Sequence, residues 1–165
     1  LAEGIDVLIK PPAAALEQMD DYVRTMHTSS GLLAALEDGV TMEAARKTVL
    51  DYVTSLVPEP RTAQLAGNSV GTDKAFLARD MPELIEHLHY RIVDVSSLKE
   101  LAKRWYPRTF FHAPKKAGGH RALADILESI DELRYYREVL FPRGEGPSSQ
   151  ECKDAAERVL AEPTR

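Results

Sequence analysis

Apolar residues recur at helical spacing along most of this chain, and short runs of β-forming residues interrupt them. The β-prone runs lie at 5–9, 63–67 and 90–95. The helical pattern predicts segments near 16–26, 32–36, 42–56, 73–80, 82–88, 97–105, 123–140 and from 148 onward. Thr41 is placed to cap the helix at 42–56, and two four-residue stretches have the form of capping boxes, Asp80-Met81-Pro82-Glu83 and Ser97-Leu98-Lys99-Glu100. The pattern therefore predicts alternating strands and helices.

A pair of glycines precedes the first candidate functional residue. Gly118 and Gly119 predict a loop that ends at His120, just before the helix of residues 123–140. Five helical steps would separate His120 and Asp125 by about 140°, so the two side chains can converge only if His120 lies on the loop. The apolar stripe of this helix leaves Asp125 facing water or a cleft. The alternative is a solvated acidic face that Asp125 shares with Glu128 and Glu132.

Two further residues have both a functional and a purely structural interpretation. Asp73 lies at the start of a predicted helix that follows a strand and a tight turn, where a carboxylate is favoured by the free backbone N–H groups. Asp73 could therefore serve a site or simply stabilise the helix start. His27 lies in a stretch of loop-forming residues, and the alternative to a binding role is an ordinary exposed histidine.

Composition narrows the class of protein. A chain of 165 residues with 44% hydrophobic and 28% charged residues suits one globular domain, and the net charge of −5 argues against a long polyanion as partner. The single Cys152 excludes an internal disulfide. Because no apolar run approaches the length of a membrane span or a secretory leader, we expect a cytoplasmic protein with no membrane partner.

One basic segment qualifies this charge argument. Between Lys99 and Arg121 there are seven basic residues and one acidic residue, Glu100, and four aromatic residues are interleaved with them: Trp105, Tyr106, Phe110 and Phe111. Basic groups bind phosphates and aromatic rings stack on bases, so this segment is a candidate wall for short single-stranded nucleic acid. The alternative is that Trp105, at helical spacing from Leu98 and Leu101, belongs to the core.

Several motifs together resemble the DEDDh nucleases, and within them bacterial oligoribonucleases. The stretch from Gly67 to Asp73 with Phe76-Leu77 resembles the second exonuclease motif, and His120-x-Ala122-x-x-Asp125 resembles the third. The order and spacing of further short strings match the same family, namely those around His27, Met81-Pro82-Glu83-Leu84, His89-Tyr90-Arg91, 94–101 and Tyr135-Tyr136-Arg137-Glu138. The resemblance covers residues 1–141 as an exonuclease domain, and 142–165 as a C-terminal tail with a linker and a short helix.

The resemblance implies an α/β fold of the RNase H-like type, with a mixed central sheet flanked by helices. It also implies a homodimer that removes nucleotides from the 3′ end of short single-stranded RNA, dinucleotides above all. Asp73 and Asp125 would ligate Mg²⁺ or Mn²⁺, two ions in the complete enzyme, and His120 would be the general base. The substrate would contact the residues that match the family's pocket: His27, Ser69, Tyr90, Arg91 and Ser96.

The chain departs from the family pattern at its first residues. The family carries an Asp-x-Glu motif on its opening strand, and residues 1–10 do not supply it. We therefore expect a domain whose N-terminal strands are missing, and a chain that is inactive as printed because two of four expected carboxylates are absent. The competing hypothesis is a catalytically incomplete module that binds short RNA or a protein partner.

Overall fold

A computed structural model describes residues 3–115 and 122–161 of the chain, and these residues combine helices with a short sheet, which confirms the α/β class. A short 3₁₀ turn spans Leu36–Asp38. The helices are α1 (Ala13–Glu17), α2 (Asp21–Ser29), α3 (Leu32–Ala35), α4 (Met42–Leu56), α5 (Val70–Asp80), α6 (Pro82–His87), α7 (Val95–Trp105), α8 (Pro107–Phe111), α9 (Ala122–Leu140) and α10 (Ser149–Ala161).

The sheet of the described residues consists of two parallel strands, β1 (Gln64–Gly67) and β2 (His89–Asp94). The chain runs from β1 through α5 and α6 to β2, and the register pairs Gly67 with Asp94. The carboxyl ends of both strands therefore lie at the same edge of the sheet. Ligands of α/β proteins commonly bind at such an edge, so the residues that follow β1 and β2 are the ones to examine.

The helix starts only partly follow the sequence predictions. The hydroxyl of Thr41 accepts a bond of 3.2 Å from the Ala44 N–H, which confirms the cap of α4. The two predicted capping boxes are wrong. Helix α7 begins directly after β2, so Asp94 rather than Ser97 is its cap, and the Asp80 carboxylate pairs with Arg79 instead of capping α6.

The predicted strand at 5–9 is reduced to a single bridge between Ile9 and Val40. The Val40 N–H donates to the Leu8 carbonyl, and the Lys10 N–H donates to the Val40 carbonyl, both at 2.8 Å. The ladder cannot continue because prolines follow Lys10 and α4 begins two residues after Val40. Gly39 permits this close approach, since a Cβ there would lie 2.6 Å from the Lys10 nitrogen.

Two hydrophobic clusters stabilise the fold. The first is built on α4 and α6 from Ala45, Met81, Leu84 and Leu88, and residues of β1 and α5 pack against it, including Leu65 and Leu77. The second is built on α7 and α9 from Val95, Ala102 and Tyr136. Within the two described ranges, no helix is both long and apolar enough to cross a membrane.

Replacing Thr41 with alanine should lower the free energy of unfolding by about 1 kcal/mol, because the Ala44 N–H loses its side-chain acceptor. Urea unfolding followed by circular dichroism measures the change. Thr48→Ala is the matched control: Thr48 lies exposed inside α4, where alanine has the better helix propensity, so no loss is expected. Equal losses from both variants would contradict the capping role.

Candidate active site

A cleft of about 650 Å³ opens at the carboxyl edge of β1, between α5 and α9. Asp73 and Asp125 both line it, and both side chains are exposed. Its remaining walls are mostly apolar, with contributions from Leu65, Val70, Leu77, Val95, Ile126 and Ile130. Asp125 therefore faces a cleft, as one of the two sequence interpretations expects, and shares that cleft with Asp73.

Asp73 reaches the cleft because α5 begins with an unusual backbone conformation. Ser69 adopts left-handed angles, φ 54° and ψ 32°, and its N–H donates to Asp94 Oδ1 at 2.9 Å and to Ser96 Oγ at 2.8 Å. These bonds fix the turn that separates β1 from α5. Asp73 then falls in the first turn of α5, where the helix dipole favours a negative charge.

Asp125 lies in the first turn of α9, opposite α5 across the cleft. Further along the same helix, Ser129 Oγ donates to the Asp125 carbonyl at 2.8 Å and accepts from Asn68 Nδ2 at 2.9 Å. Asn68 Nδ2 also donates to Glu132 Oε2 at 2.9 Å. Helix α9 is therefore hydrogen-bonded to the turn that starts α5.

The sequence pattern missed the burial of Glu132, which contacts the cleft residue Asn68. It was grouped with a solvated acidic face, but it is only 3% exposed and its Oε1 lies 3.3 Å from Lys99 Nζ. Burial raises the pKa of the neighbouring Tyr136 hydroxyl, and the charge of Glu132 raises it further. The position of Glu132 in the helix could have indicated its burial, because Ser129, Glu132 and the buried Tyr136 share one face of α9.

The predicted pocket residues fall into separate groups. The Ser69 and Ser96 hydroxyls lie 3.1 Å apart beside the cleft, since Ser96 also donates to the cleft residue Asn68. Tyr90 and Arg91 lie exposed on β2, with the Arg91 guanidinium 5.4 Å from the Tyr90 ring centre.

The other predicted site residues are not brought to the cleft by the described structure. Tyr90 lines a different groove of about 290 Å³ beside Lys74. His27 lies in the last turn of α2 and is half-buried, and it is not among the residues that line the cleft. His120 lies outside the described residues.

Carboxylate oxygens are ligands that a hard divalent cation prefers, and the described cleft lining supplies two carboxylates, those of Asp73 and Asp125. Across residues 3–115 and 122–161, no group of three or more acidic, histidine or cysteine side chains is arranged to hold a metal ion. Two carboxylates on a shared cleft nevertheless match the usual way in which Mg²⁺ binds, through one or two carboxylates together with water and substrate phosphate. Asp73 and Asp125 therefore fit such an ion as partial ligands.

Three of the four aromatic residues of the basic segment are exposed and Phe110 is half-buried. The alternative of Trp105 as a core residue is therefore wrong. Trp105 is 66% exposed and Phe111 is 76% exposed. The buried face of α7 ends at Ala102, one turn before Trp105, and Pro107 then begins a new helix. Arg104 and Arg108 lie exposed beside these rings in the sequence.

Comparison with known proteins identifies the class. The chain matches the Exonuclease family over residues 3–133, which is most of its length. Helices α1 to α9, the two parallel strands and the two carboxylates of the cleft lie within or overlap this match, and α10 follows it. The chain therefore belongs to the exonuclease family.

Curated relatives narrow the place within that family. An oligoribonuclease from Streptomyces griseus is 60% identical over 161 residues, covering 98% of this chain and 80% of the relative. An oligoribonuclease from Cutibacterium acnes is 58% identical over 154 residues, covering 93% and 76%, and one from Mycobacterium leprae is 48% identical over 164 residues, covering 99% and 76%. Within the exonuclease family, this chain groups with the oligoribonucleases of the DEDDh type.

Substitutions at Ser69 test the backbone geometry that begins α5. Ser69→Gly should raise the free energy of unfolding by about 0.5 kcal/mol, because glycine adopts left-handed angles without a Cβ clash. Ser69→Val should lower it by about 2 kcal/mol, because a branched side chain is strained there. Chemical unfolding measures both values. A destabilising Ser69→Gly together with a neutral Ser69→Val would contradict the described turn.

Proposed function

We propose that this chain is a metal-dependent 3′-to-5′ exoribonuclease that degrades short single-stranded RNA, dinucleotides above all, to 5′-mononucleotides. The observation that carries this proposal is the presence of Asp73 and Asp125 on facing walls of one cleft in a chain so similar to proteins named oligoribonuclease. We place it in the cytoplasm, with residues 1–141 as the exonuclease domain and 142–165 as a tail.

The cleft residues divide the chemistry between them. Asp73 and Asp125 would hold Mg²⁺ or Mn²⁺, which when bound neutralises phosphate charge and stabilises the attacking and leaving oxygens. His120 would accept the proton of the attacking water, since an imidazole with an ordinary pKa of about 6.5 can act as a base at neutral pH. His120 precedes the cleft residue Ala122 by two positions in the sequence, which supports this role.

Substrate binding is proposed for hydroxyl, aromatic and basic side chains. Ser69 and Ser96 are supported by their contact with each other and with the cleft edge. His27 is a further pocket residue, supported only by the family motif. Tyr90 and Arg91 would hold the 5′ phosphate of a substrate in the partner protomer of a homodimer, and their exposure on β2 supports that role.

A second candidate function is binding without catalysis. It is favoured by the donor count, because the described cleft offers two carboxylates and the first ten residues contain no Asp-x-Glu motif. On this alternative the cleft and the exposed aromatic residues would bind short RNA, or a protein partner, without hydrolysing it.

A labelled diribonucleotide with Mn²⁺ separates the two functions. The 165-residue chain is expected to be inactive, and the same chain extended upstream by an Asp-x-Glu strand is expected to release mononucleotides, because the added carboxylates complete the cation site. Product analysis by chromatography measures turnover. The same extension with Asn-x-Gln is the control. Inactivity of every form, with binding retained, would favour the non-catalytic module.

His120→Ala in the active extended form should reduce turnover by at least about 10²-fold, the usual contribution of a general base, while the Kd for the dinucleotide stays the same. His112→Ala is the matched control, because His112 lies exposed at the end of α8 and its ring bonds only to the Arg108 carbonyl among the contacts described. Unchanged turnover in His120→Ala would remove this residue from the mechanism.

The homodimer is tested by sedimentation velocity. Wild-type chain should sediment as a dimer, and Tyr90→Ala with Arg91→Ala should leave the dimer intact while weakening dinucleotide binding by about tenfold, because these side chains are proposed to bind substrate phosphate. A monomeric wild type at micromolar concentration would contradict the shared site.

A further inference from the structure

A partly buried polar network connects the two helices that carry the cleft carboxylates. Asn68 follows β1 directly and precedes α5 by two residues. Its Nδ2 donates to Ser129 Oγ and Glu132 Oε2 on α9, each at 2.9 Å, and its Oδ1 accepts from Ser96 Oγ on α7 at 3.2 Å. One amide side chain therefore joins the start of α5 to both α7 and α9.

Glu132 is the residue of this network that restricts the position of α9. A carboxylate that is only 3% exposed is tolerated when it is paired, and here Asn68 and Lys99 supply the partners from two different elements. If α9 slid along its axis or moved away from β1, the buried carboxylate would lose its bond from Asn68. The network therefore permits one position of α9 relative to the start of α5.

The hydrophobic packing does not by itself provide this constraint. Leu77 of α5 packs against the cluster on α4 and α6, whereas Leu133 and Tyr136 of α9 belong to the cluster on α7 and α9. Asp73 and Asp125 are thus attached to different clusters. The bond from Ser129 to the Asp125 carbonyl extends the network to the backbone of the second carboxylate itself.

We propose that Glu132 is a positioning residue that acts through Asn68 and Ser129 to set the separation of Asp73 and Asp125. Glu132 does not line the cleft, so it acts without contacting cation or substrate. The inference rests on the proposed function of the cleft as a cation site. Glu132 would affect the distance between the two carboxylates that bind the cation and would not itself be a ligand.

The separation of α5 and α9 can be measured directly with spin labels. Labels are attached at Ala75→Cys on α5 and Leu127→Cys on α9, both exposed and outside the cleft lining, in a Cys152→Ser background. Glu132→Ala should broaden the distance distribution about twofold, because it leaves a cavity and an unpaired Asn68 donor. Asp131→Ala is the matched control, since Asp131 is an exposed neighbour that pairs with Arg134.

A polarity exchange distinguishes this specific pairing from general loss of packing. Asn68→Asp places a second carboxylate against Glu132 and should broaden the distribution as Glu132→Ala does. Adding Glu132→Gln restores the hydrogen bond between these two positions with reversed roles, but the carboxylate at position 68 cannot donate to Ser129. The double variant should therefore recover the wild-type distribution in part. If Glu132→Ala fails to fold, the label distances are measured in Glu132→Gln alone, which keeps an acceptor for Asn68.

Mn²⁺ binding, measured from the free-ion magnetic resonance signal, reports the consequence for the cleft. Glu132→Ala should weaken binding about tenfold, as changes behind metal ligands commonly do. The double variant is compared by label distance alone, because Asn68 lines the cleft and an aspartate there adds a carboxylate to the cation site. Wild-type distances and Mn²⁺ binding in both Glu132→Ala and Asn68→Asp would overturn the inference. If wild-type chain binds no Mn²⁺ but its label distances respond to these variants, the positioning role stands and the proposed cation site fails.

Discussion

One carboxylate oxygen is hydrogen-bonded to the first residues of two helices of this protein. Oδ1 of Asp94 accepts from the N–H groups of Ser69 and Ser96, both at 2.9 Å, so the end of β2 fixes the start of α5 and of α7 together. Parallel pairing brings Asp94 beside Gly67, at the edge where Asn68 leaves β1 and binds α9. The cleft exists because these bonds converge on one edge of the sheet.

The sequence predicted the parts of this arrangement that depend on neighbouring residues. The Thr41 cap, the helix at 42–56 and the position of Asp73 in the first turn after a tight turn are local properties that the structure confirms. The helix predicted at 16–26 is instead divided between α1 and α2, which are separated by residues 18–20. The capping boxes failed because Asp80 and Asp94 have other roles, as the partner of Arg79 and as the last residue of a strand. A four-residue pattern does not include these competing contacts.

The buried state of Glu132 depends on contacts that no local pattern contains. Its partner Asn68 is 64 positions away, and Lys99 comes from a third element. A glutamate on a helix is usually exposed, so the expectation of a solvated face was reasonable on residue type alone. Trp105 shows the opposite case: helical spacing indicated a core residue, but the partner surface of α7 ends one turn earlier.

The two hydrophobic clusters give the cleft a thermodynamic property beyond its chemistry. An ion held by both carboxylates would join α5, which packs against the first cluster, to α9, which belongs to the second. Any ligand that binds only the folded arrangement adds RT ln(1 + [L]/Kd) to its stability. Occupancy of the cleft would therefore act as a removable cross-link, and the resistance of the whole domain to unfolding would follow the free concentration of the ion.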